Sequence, residues 1–458
     1  MSAAGASVTR TSVAAPSAAS PALQSFDRAW RERCANWGDS HTALQTLRRE
    51  AMGRFVRLGL PTLRDESWHH SNLRALALRS FHASPADAAT LADADIAASW
   101  LEGIGAWPVV RMINAIPQPG TLTGAPAGMQ VTSLNMMERS DPQRLVAMML
   151  PLSDAEQQRW VLLNTALFED GLHIRVSGEC AVPLLIIHVA AAADAQALMH
   201  PRVIIEAAPG SSAVIIEHHV STSAQPLLSN SVTSVRLANN ARLEHMRVFS
   251  GSAAATHTDH LQLDAAADAH LRQHTVVLGG GFVRTAIEAH LAAANAALDS
   301  YSLLTGHDAR HTDCVNIVTH AAPHTRSRQT ARIIASGRSR AIFNSKVIVN
   351  AGAQKADSLQ SCRGLLLSPT AEIDTRPQLD INADDVKCAH GATTGRLDPD
   401  MLFYMLARGL DRNAAQSLLV FAFLADALTQ ISLPTVRAAV ESQLIAQLPD
   451  SQLLRQFR

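Results

Sequence analysis

The feature that most limits what this chain can fold into is a weak internal period. Alanine followed two residues later by a large apolar residue occurs at Ala213/Ile215, Ala241/Leu243, Ala269/Leu271 and Ala296/Leu298, at spacings of 28, 28 and 27 residues. The next step degenerates near His324, and looser copies at Ala341/Phe343 and Ala371/Ile373 fall out of phase. Around these positions lie short β-rich runs, such as 183–189, 202–206, 213–217, 231–237, 241–249, 271–277 and 341–349. Turn-like groups such as Pro209-Gly210-Ser211, Asn239-Asn240 and Gly279-Gly280-Gly281 separate them. No helix-length stretch intervenes, as a doubly wound α/β fold would need. A period of roughly 20–50 residues made of strands and turns reads as a solenoid. One coil of a β-helix fits a 28-residue step, with small residues at its inner corners and backbone bonds to its neighbours. A β-sandwich is the alternative, since alanine is abundant enough here to repeat by chance.

The flanks have helical periodicity. In 40–58 the apolar residues Leu44, Leu47, Ala51, Phe55 and Leu58 make one helix face, with Ser40 as cap and Gly59 and Pro61 as the stop. Arg48, Arg49, Arg54 and Arg57 read as a solvated face. Beyond 397, Asp398 caps a helix that Pro399 opens. Asp411 or Asn413 starts a second, striped by Ala414, Leu418, Phe421, Ala422, Ala425 and Leu428. Pro434 opens a third, with Val436, Val440, Leu444 and Leu448 in line. The organisation read from these patterns is a disordered tail at 1–22, an N-terminal helical domain at 23–165, a β-helix core at 166–396 and a C-terminal helical domain at 397–458. The tail is Ala, Ser, Thr and Pro with one Arg10. It lacks the Arg enrichment of a transit peptide and the apolar core of a secretory signal.

Composition narrows the function. With 47% hydrophobic and 17% charged residues the chain is not broadly disordered. A formal net charge of −1 gives no global field for nucleic acid or an anionic membrane. The longest apolar runs, 181–193 and 418–425, are too short to span a bilayer. Cysteines stand at 34, 180, 314, 362 and 388, an odd number without a C-x-x-C pair, which fits reduced thiols in a cytoplasmic protein.

Twenty histidines invite a metal reading. His257/His260 and His307/His311 have ligand-like spacings, but they sit among strand and turn signals with no accompanying carboxylate or thiol motif. His69-His70 and His218-His219 would diverge in a strand. Gly279-Gly280-Gly281 lacks the Lys-Ser/Thr and helix start of a phosphate loop, and no Walker motif or Gly-x-Ser-x-Gly elbow occurs. One stretch differs, 384–392. If it is extended, Cys388 and His390 point the same way and offer a thiol and an imidazole to a soft metal or sulfur species. Two ligands cannot close a four-coordinate site, so others must come from elsewhere in the fold or from another chain. The plainer reading is a buried cysteine beside a hydrogen-bonded histidine.

The same stretch carries a resemblance. Gln354-Lys355-Ala356-Asp357-Ser358-Leu359-Gln360, Leu365-Leu366-Leu367-Ser368, Ala371-Glu372, Arg376-Pro377-Gln378-Leu379-Asp380-Ile381, residues 384–395, Leu402-Phe403-Tyr404 and Arg408-Gly409 together resemble the C-terminal half of the SufB/SufD family, in its SufD branch. Leu58-Gly59-Leu60-Pro61-Thr62 with Glu66-Ser67-Trp68 resembles the family's N-terminal motif. There His69-His70-Ser71 replaces the usual aromatic-Thr. The middle coils match only in texture.

The resemblance implies a mainly β protein: a right-handed parallel β-helix flanked by N- and C-terminal helical domains. It implies a non-catalytic scaffold subunit of the SufBCD complex for iron–sulfur cluster assembly. The expected partners are the paralogue SufB, the ATPase SufC and apo-protein acceptors. It places His390 and Cys388 at the cluster-assembly interface, His390 being a transient iron ligand whose co-ligands come from the partner. It places ATPase docking on the C-terminal helices, where Arg408, Gly409 and Leu410 are the exposed junction. No cofactor is expected in the isolated chain. The complex would hold the nascent cluster and raises the question of a reduced flavin. The K-C-A-H-G-A-T form of the strand favours SufD over SufB. A carbohydrate-active β-helix enzyme would need an exposed acid/base pair and an export signal, and neither is evident. A purely structural solenoid adaptor is the remaining alternative.

Overall fold

The computed structural model describes residues 20–35, 37, 42–83, 100–101, 105–191, 196–221 and 224–449. Nearly all of the expected tail, and the expected cap Ser40, lie outside these residues.

The chain winds through about seven coils between 172 and 396, with helices at both ends. Successive long strands alternate between two parallel sheets. Leu227–Leu237, Ala255–Ala265, Phe282–Leu291, His311–His320, Arg340–Val349 and Glu372–Ile381 are neighbours in one. Ser212–Ser221, Arg242–Gly251, His270–Val277, Ala297–Gly306, Arg326–Ala335, Asp357–Leu366 and Lys387–Arg396 are neighbours in the other. The inner faces share one apolar core, built from such residues as Val235, Leu261, Ile287, Leu243, Leu271 and Leu298. Two short strands from the N-terminal segment, Val109–Ile113 and Met129–Ser133, join the sheets at the first coil.

The period has a physical origin in one corner. Where the first sheet hands over to the second, Gly210, Asn240, Asp268, Asn295, His324 and Lys355 all have φ between 58° and 68°. Gly, Asn and Asp tolerate that left-handed turn best. Each turn donates to the next: the Gly210 amide to Asn239 O, Asn240 to Ala267 O and Asp268 to Ala294 O, at 2.9–3.0 Å. The residue after each turn, Ser211, Ala241, Ala269, Ala296, Thr325 or Ala356, is at most 1% exposed, so only small side chains fit. Register refines the sequence pattern. Arg242 pairs with Ser212, so Ser211 rather than Ala213 stacks on Ala241. Thr325 fills the degenerate step and donates its hydroxyl to Ala322 O. The out-of-phase copies are not slips of this ladder. Ala341 lies in a strand of the opposite sheet and Ala371 immediately precedes another.

Gly279-Gly280-Gly281 turns the other corner. A Cβ at Gly281 would stand 2.0 Å from Ala253 O, and one at Gly279 would stand 2.6 Å from the Gly251 amide. The glycines serve close coil-to-coil approach.

The helix Ala43–Leu58 starts at Thr42, whose side chain and that of Gln45 form a reciprocal capping box, and it stops at Gly59 with φ 67°. Leu44, Ala51 and Phe55 are buried as the spacing predicts. Arg48, expected in the solvated face, is buried with them. Its guanidinium donates to Phe168 O at 3.1 Å and lies over the Phe168 ring. Position 48 stands four residues after 44, on the same helix face, and the Phe168 carbonyl and the Glu138 carboxylate, 3.8 Å away, partner the guanidinium there.

At the other end, Asp398 and Asp411 cap Pro399–Ala407 and Arg412–Leu428. The inward face of Arg412–Leu428 is Ala414, Ala415, Ser417, Val420, Leu424, Ala427 and Leu428, while Ala422 is exposed. The predicted stripe is out of phase because it counted alanines as anchors. The helix instead packs Val420, Leu424 and Leu428 into a core with Leu303, Ile334 and Leu365. Pro434–Ala446 buries Val436, Val440 and Leu444 as predicted.

Candidate functional site

The solenoid ends on an uncovered coil. Among the described residues, Lys387–Arg396 pairs only with Asp357–Leu366, and Glu372–Ile381 only with Arg340–Val349, so each sheet stops at a free edge. Val347 has the alternation that an edge strand would show but lies in an internal strand. It is fully buried in Arg340–Val349, which has neighbours on both sides.

Register fixes the direction of the last strand's side chains. Cys388 pairs with Ser358, His390 with Gln360, Ala392 with Cys362 and Thr394 with Gly364. Ser358, Gln360 and Cys362 are buried in the solenoid interior, so Cys388 and His390 continue the same inward-facing columns. No coil follows, and that face is open: His390 is exposed and Cys388 half-buried against the main core. The His390 column is polar throughout. It runs through Gln360, Gln329, Ser300 and Gln273 to His245.

Burial pushes the Cys388 thiol above its ordinary pKa, and the Ser358 backbone amide offsets part of that. The thiol is therefore neutral near pH 7 and becomes a thiolate ligand only when a cation lowers it. Cys314 and Cys362 are deeper. Burial raises both, Cys362 to about 12, which makes them inert packing thiols. All five cysteines are free.

Arg408, Gly409 and Leu410 follow the helix Pro399–Ala407, in which no residue is buried. Met401, Phe403 and Tyr404 are 58%, 71% and 57% exposed, a largely apolar surface left open among the described residues. The Arg408 guanidinium lies 5.0 Å from the Tyr404 ring centre, and Gly409 adopts φ 88°.

The N-terminal motif grips the solenoid's outer face. Trp68 is buried under the Arg284 guanidinium, 3.6 Å from its ring centre, and Arg284 donates to Ser67 O at 2.9 Å. Glu66 accepts from Gln378 at 3.3 Å and Arg376 at 2.7 Å on the penultimate strand, and these partners hold its carboxyl below the usual range. The residues that replace the usual aromatic-Thr also reach the coils: Ser71 bonds His311 at 2.9 Å and donates to Asp313, and His70 lies 3.7 Å from Asp374.

The spaced histidine pairs do not converge. His257 points inward towards Phe249, while His260 lies 3.6 Å from Glu288. His307 meets Arg310 at the corner, and His311 stacks on Phe282. His218 meets Ser250 and His219 stacks against His188, so the adjacent pair diverges as predicted.

The chain is a parallel solenoid with helical ends whose last strand carries a thiol and an imidazole on its open inner face. Residues 188–423 match the family described as SUF system FeS cluster assembly, SufBD core domain, and residues 31–186 match the SufBD protein N-terminal region. The chain belongs to the SufBD family and is a SufD-like iron–sulfur cluster assembly protein. The iron-sulfur cluster assembly protein SufD of Escherichia coli (strain K12) is 30% identical over 381 residues, covering 81% of this chain and 86% of that protein. A SufBD family protein of Synechocystis sp. (strain ATCC 27184 / PCC 6803 / Kazusa) is 26% identical, covering 90% and 92%. SufD of Bacillus subtilis (strain 168) is 23% identical, covering 63% and 66%.

Proposed function

We propose that this chain is the non-catalytic SufD-like subunit of a SufBCD-type complex. It pairs with a SufB-like paralogue through its final coil, docks a SufC-like ATPase on its C-terminal helices, and helps pass a nascent cluster to apo-proteins. The observation that carries this is the free final coil with Cys388 and His390 on its open inner face. A related solenoid that adds its own strands to both edges extends the sheets and brings further ligands opposite His390. Iron is then cargo, held between chains. The imidazole ligates it or accepts a proton near sulfur. The cytoplasm is the proposed compartment, in keeping with five free thiols. Among the described residues no helix is long and apolar enough to cross a membrane.

Proline scanning of the edge tests the pairing. The Lys387 amide donates inward to Ala356 O at 2.9 Å. By alternation the amides of Cys388, His390 and Ala392 face the free edge. Ala392→Pro removes an outward donor and no internal bond. Its affinity for the paralogue should fall at least about tenfold, or about 1.4 kcal/mol. The thermal midpoint of the isolated chain should barely move. Unchanged affinity would place the interface elsewhere.

Docking of the ATPase is tested on the exposed helix. Phe403→Asp should abolish co-purification of the ATPase subunit without unfolding the chain, because the ring it replaces is 71% exposed. Retained capture sinks that assignment. The isolated chain should turn over no ATP, since it lacks a loop whose amides and lysine neutralise the phosphates. Turnover by the rigorously purified chain would contradict the scaffold role.

A further inference from the structure

We propose that the interior of the first coils holds one first-row divalent metal ion, zinc or ferrous iron, ligated by His188, Glu217 and His219. The three residues stand on the neighbouring strands Leu184–Ala190 and Ser212–Ser221, where His188 pairs with His219. Their side chains meet inside the solenoid. Exposure is 4% for His188, 0% for Glu217 and 1% for His219. The two imidazoles stack with centres 4.3 Å apart, and Phe249 backs His219 at 4.7 Å. One donor atom from each of the three residues lies within 4.8 Å of the others.

The second observation is unmet hydrogen-bonding capacity. Glu217 is well supplied: His188 Nε2 and His245 Nε2 lie 2.8 Å from its two oxygens, and Thr233 donates at 2.9 Å. The histidines are not. Both ring nitrogens of His219, and Nδ1 of His188 and of His245, are buried without a partner. Buried polar groups are bonded in about nine cases in ten. Four orphaned nitrogens around one carboxylate therefore call for a missing partner. A neutral imidazole at His219 keeps a lone pair to donate. Two imidazoles and one carboxylate are a donor set typical of zinc and of non-haem ferrous iron. Tetrahedral metal–ligand bonds of about 2.1 Å set donors roughly 3.4 Å apart, so separations of up to 4.8 Å must close by at most about 1.4 Å.

This ion is not the cluster's iron. Six strand spacings of about 4.8 Å, some ~29 Å, separate Ser212–Ser221 from the strand of His390. It would tie two coils together from inside, and it does not depend on the scaffold reading.

The full-length chain, expressed with added zinc, iron or cobalt and then passed through chelator-containing buffer, should retain about one ion per chain by elemental analysis. Cobalt-loaded protein should show visible d–d absorption. His219→Phe keeps a ring stacked between His188 and Phe249 but offers no ligand nitrogen. It should retain at least about tenfold less metal and lose the absorption, with unchanged circular dichroism. If that variant does not fold, the near-isosteric Glu217→Gln should show the same loss. His290→Ala, at an exposed histidine, should bind as wild type does. Wild-type chain free of every first-row metal, or equal retention by the folded site variant, would overturn the proposal and assign the space to water.

Discussion

Replacing His390 with alanine should leave the chain folded and abolish cluster loading. The imidazole is exposed and makes no hydrogen bond or ion pair among the described residues, so its removal should change stability by no more than about 0.5 kcal/mol. A buried structural histidine would instead leave unsatisfied partners and cost about 1–3 kcal/mol. The functional loss should be large because the open coil supplies only two ligand side chains. Cys388 is neutral until a cation is already near it. Removing the imidazole leaves iron one side-chain ligand on this face, a thiol that must lose its proton to bind. Three quantities decide the matter: the thermal midpoint, recovery of the complex with the paralogue, and iron and sulfide per complex isolated from cells. Intact complex with loading below about a tenth of wild type is the expected result. Normal loading would end the assignment, and loss of the complex would make His390 a packing residue of the interface.

What was legible in the sequence follows from what repeats locally. The 28-residue step was visible because each corner needs a left-handed residue followed by a small one, and those requirements are met by residue type alone. The helix caps at Asp398 and Asp411 are local in the same sense. Register was less legible. A shift of two residues preserves the inward parity, so Ala213 and Ser211 look equally good as corner residues until the coils are stacked. Alternation alone did not show which strand has a free edge. Val347 has the same alternation in an internal strand as in an end strand, and only the chain's leaving the solenoid after Arg396 decides which strand is last. The interior histidines were missed for a related reason. Glu217 and His219 share an inward parity that could have been noticed within 212–221, but His188 and His245 approach Glu217 only through coil-to-coil contacts roughly 30 residues apart in sequence. Arg48 was misjudged because its partner, the Phe168 carbonyl, is equally remote.

The largest effect on stability should come from the ion pair sealed between the sheets. Arg247 and Asp259 are both buried, and they bond each other directly. Ser231 donates to Asp259 at 2.6 Å, and Arg247 donates to Thr275 at 3.2 Å. Burial raises the Asp259 pKa, and Arg247 and Ser231 work against that. Asp259→Ala would leave the buried guanidinium bonded to Thr275, with Glu217, already bonded to His188, His245 and Thr233, as its cross-strand neighbour, and should cost about 3–5 kcal/mol, read as a fall in the urea midpoint. The double change Arg247→Met with Asp259→Leu removes both charges and should recover most of that loss. A shift below about 1 kcal/mol for Asp259→Ala would mean that water solvates the interior, and the lumen could not then be treated as dry. Neighbouring coils present similar apolar ladders to one another, so a slipped pairing would bury nearly as much surface. A charge pair that is satisfied in one register only penalises the slip. The double variant should therefore match wild type at equilibrium while refolding with a lower yield of native chain, and equal yields would show that the apolar ladders and corner turns set the register unaided.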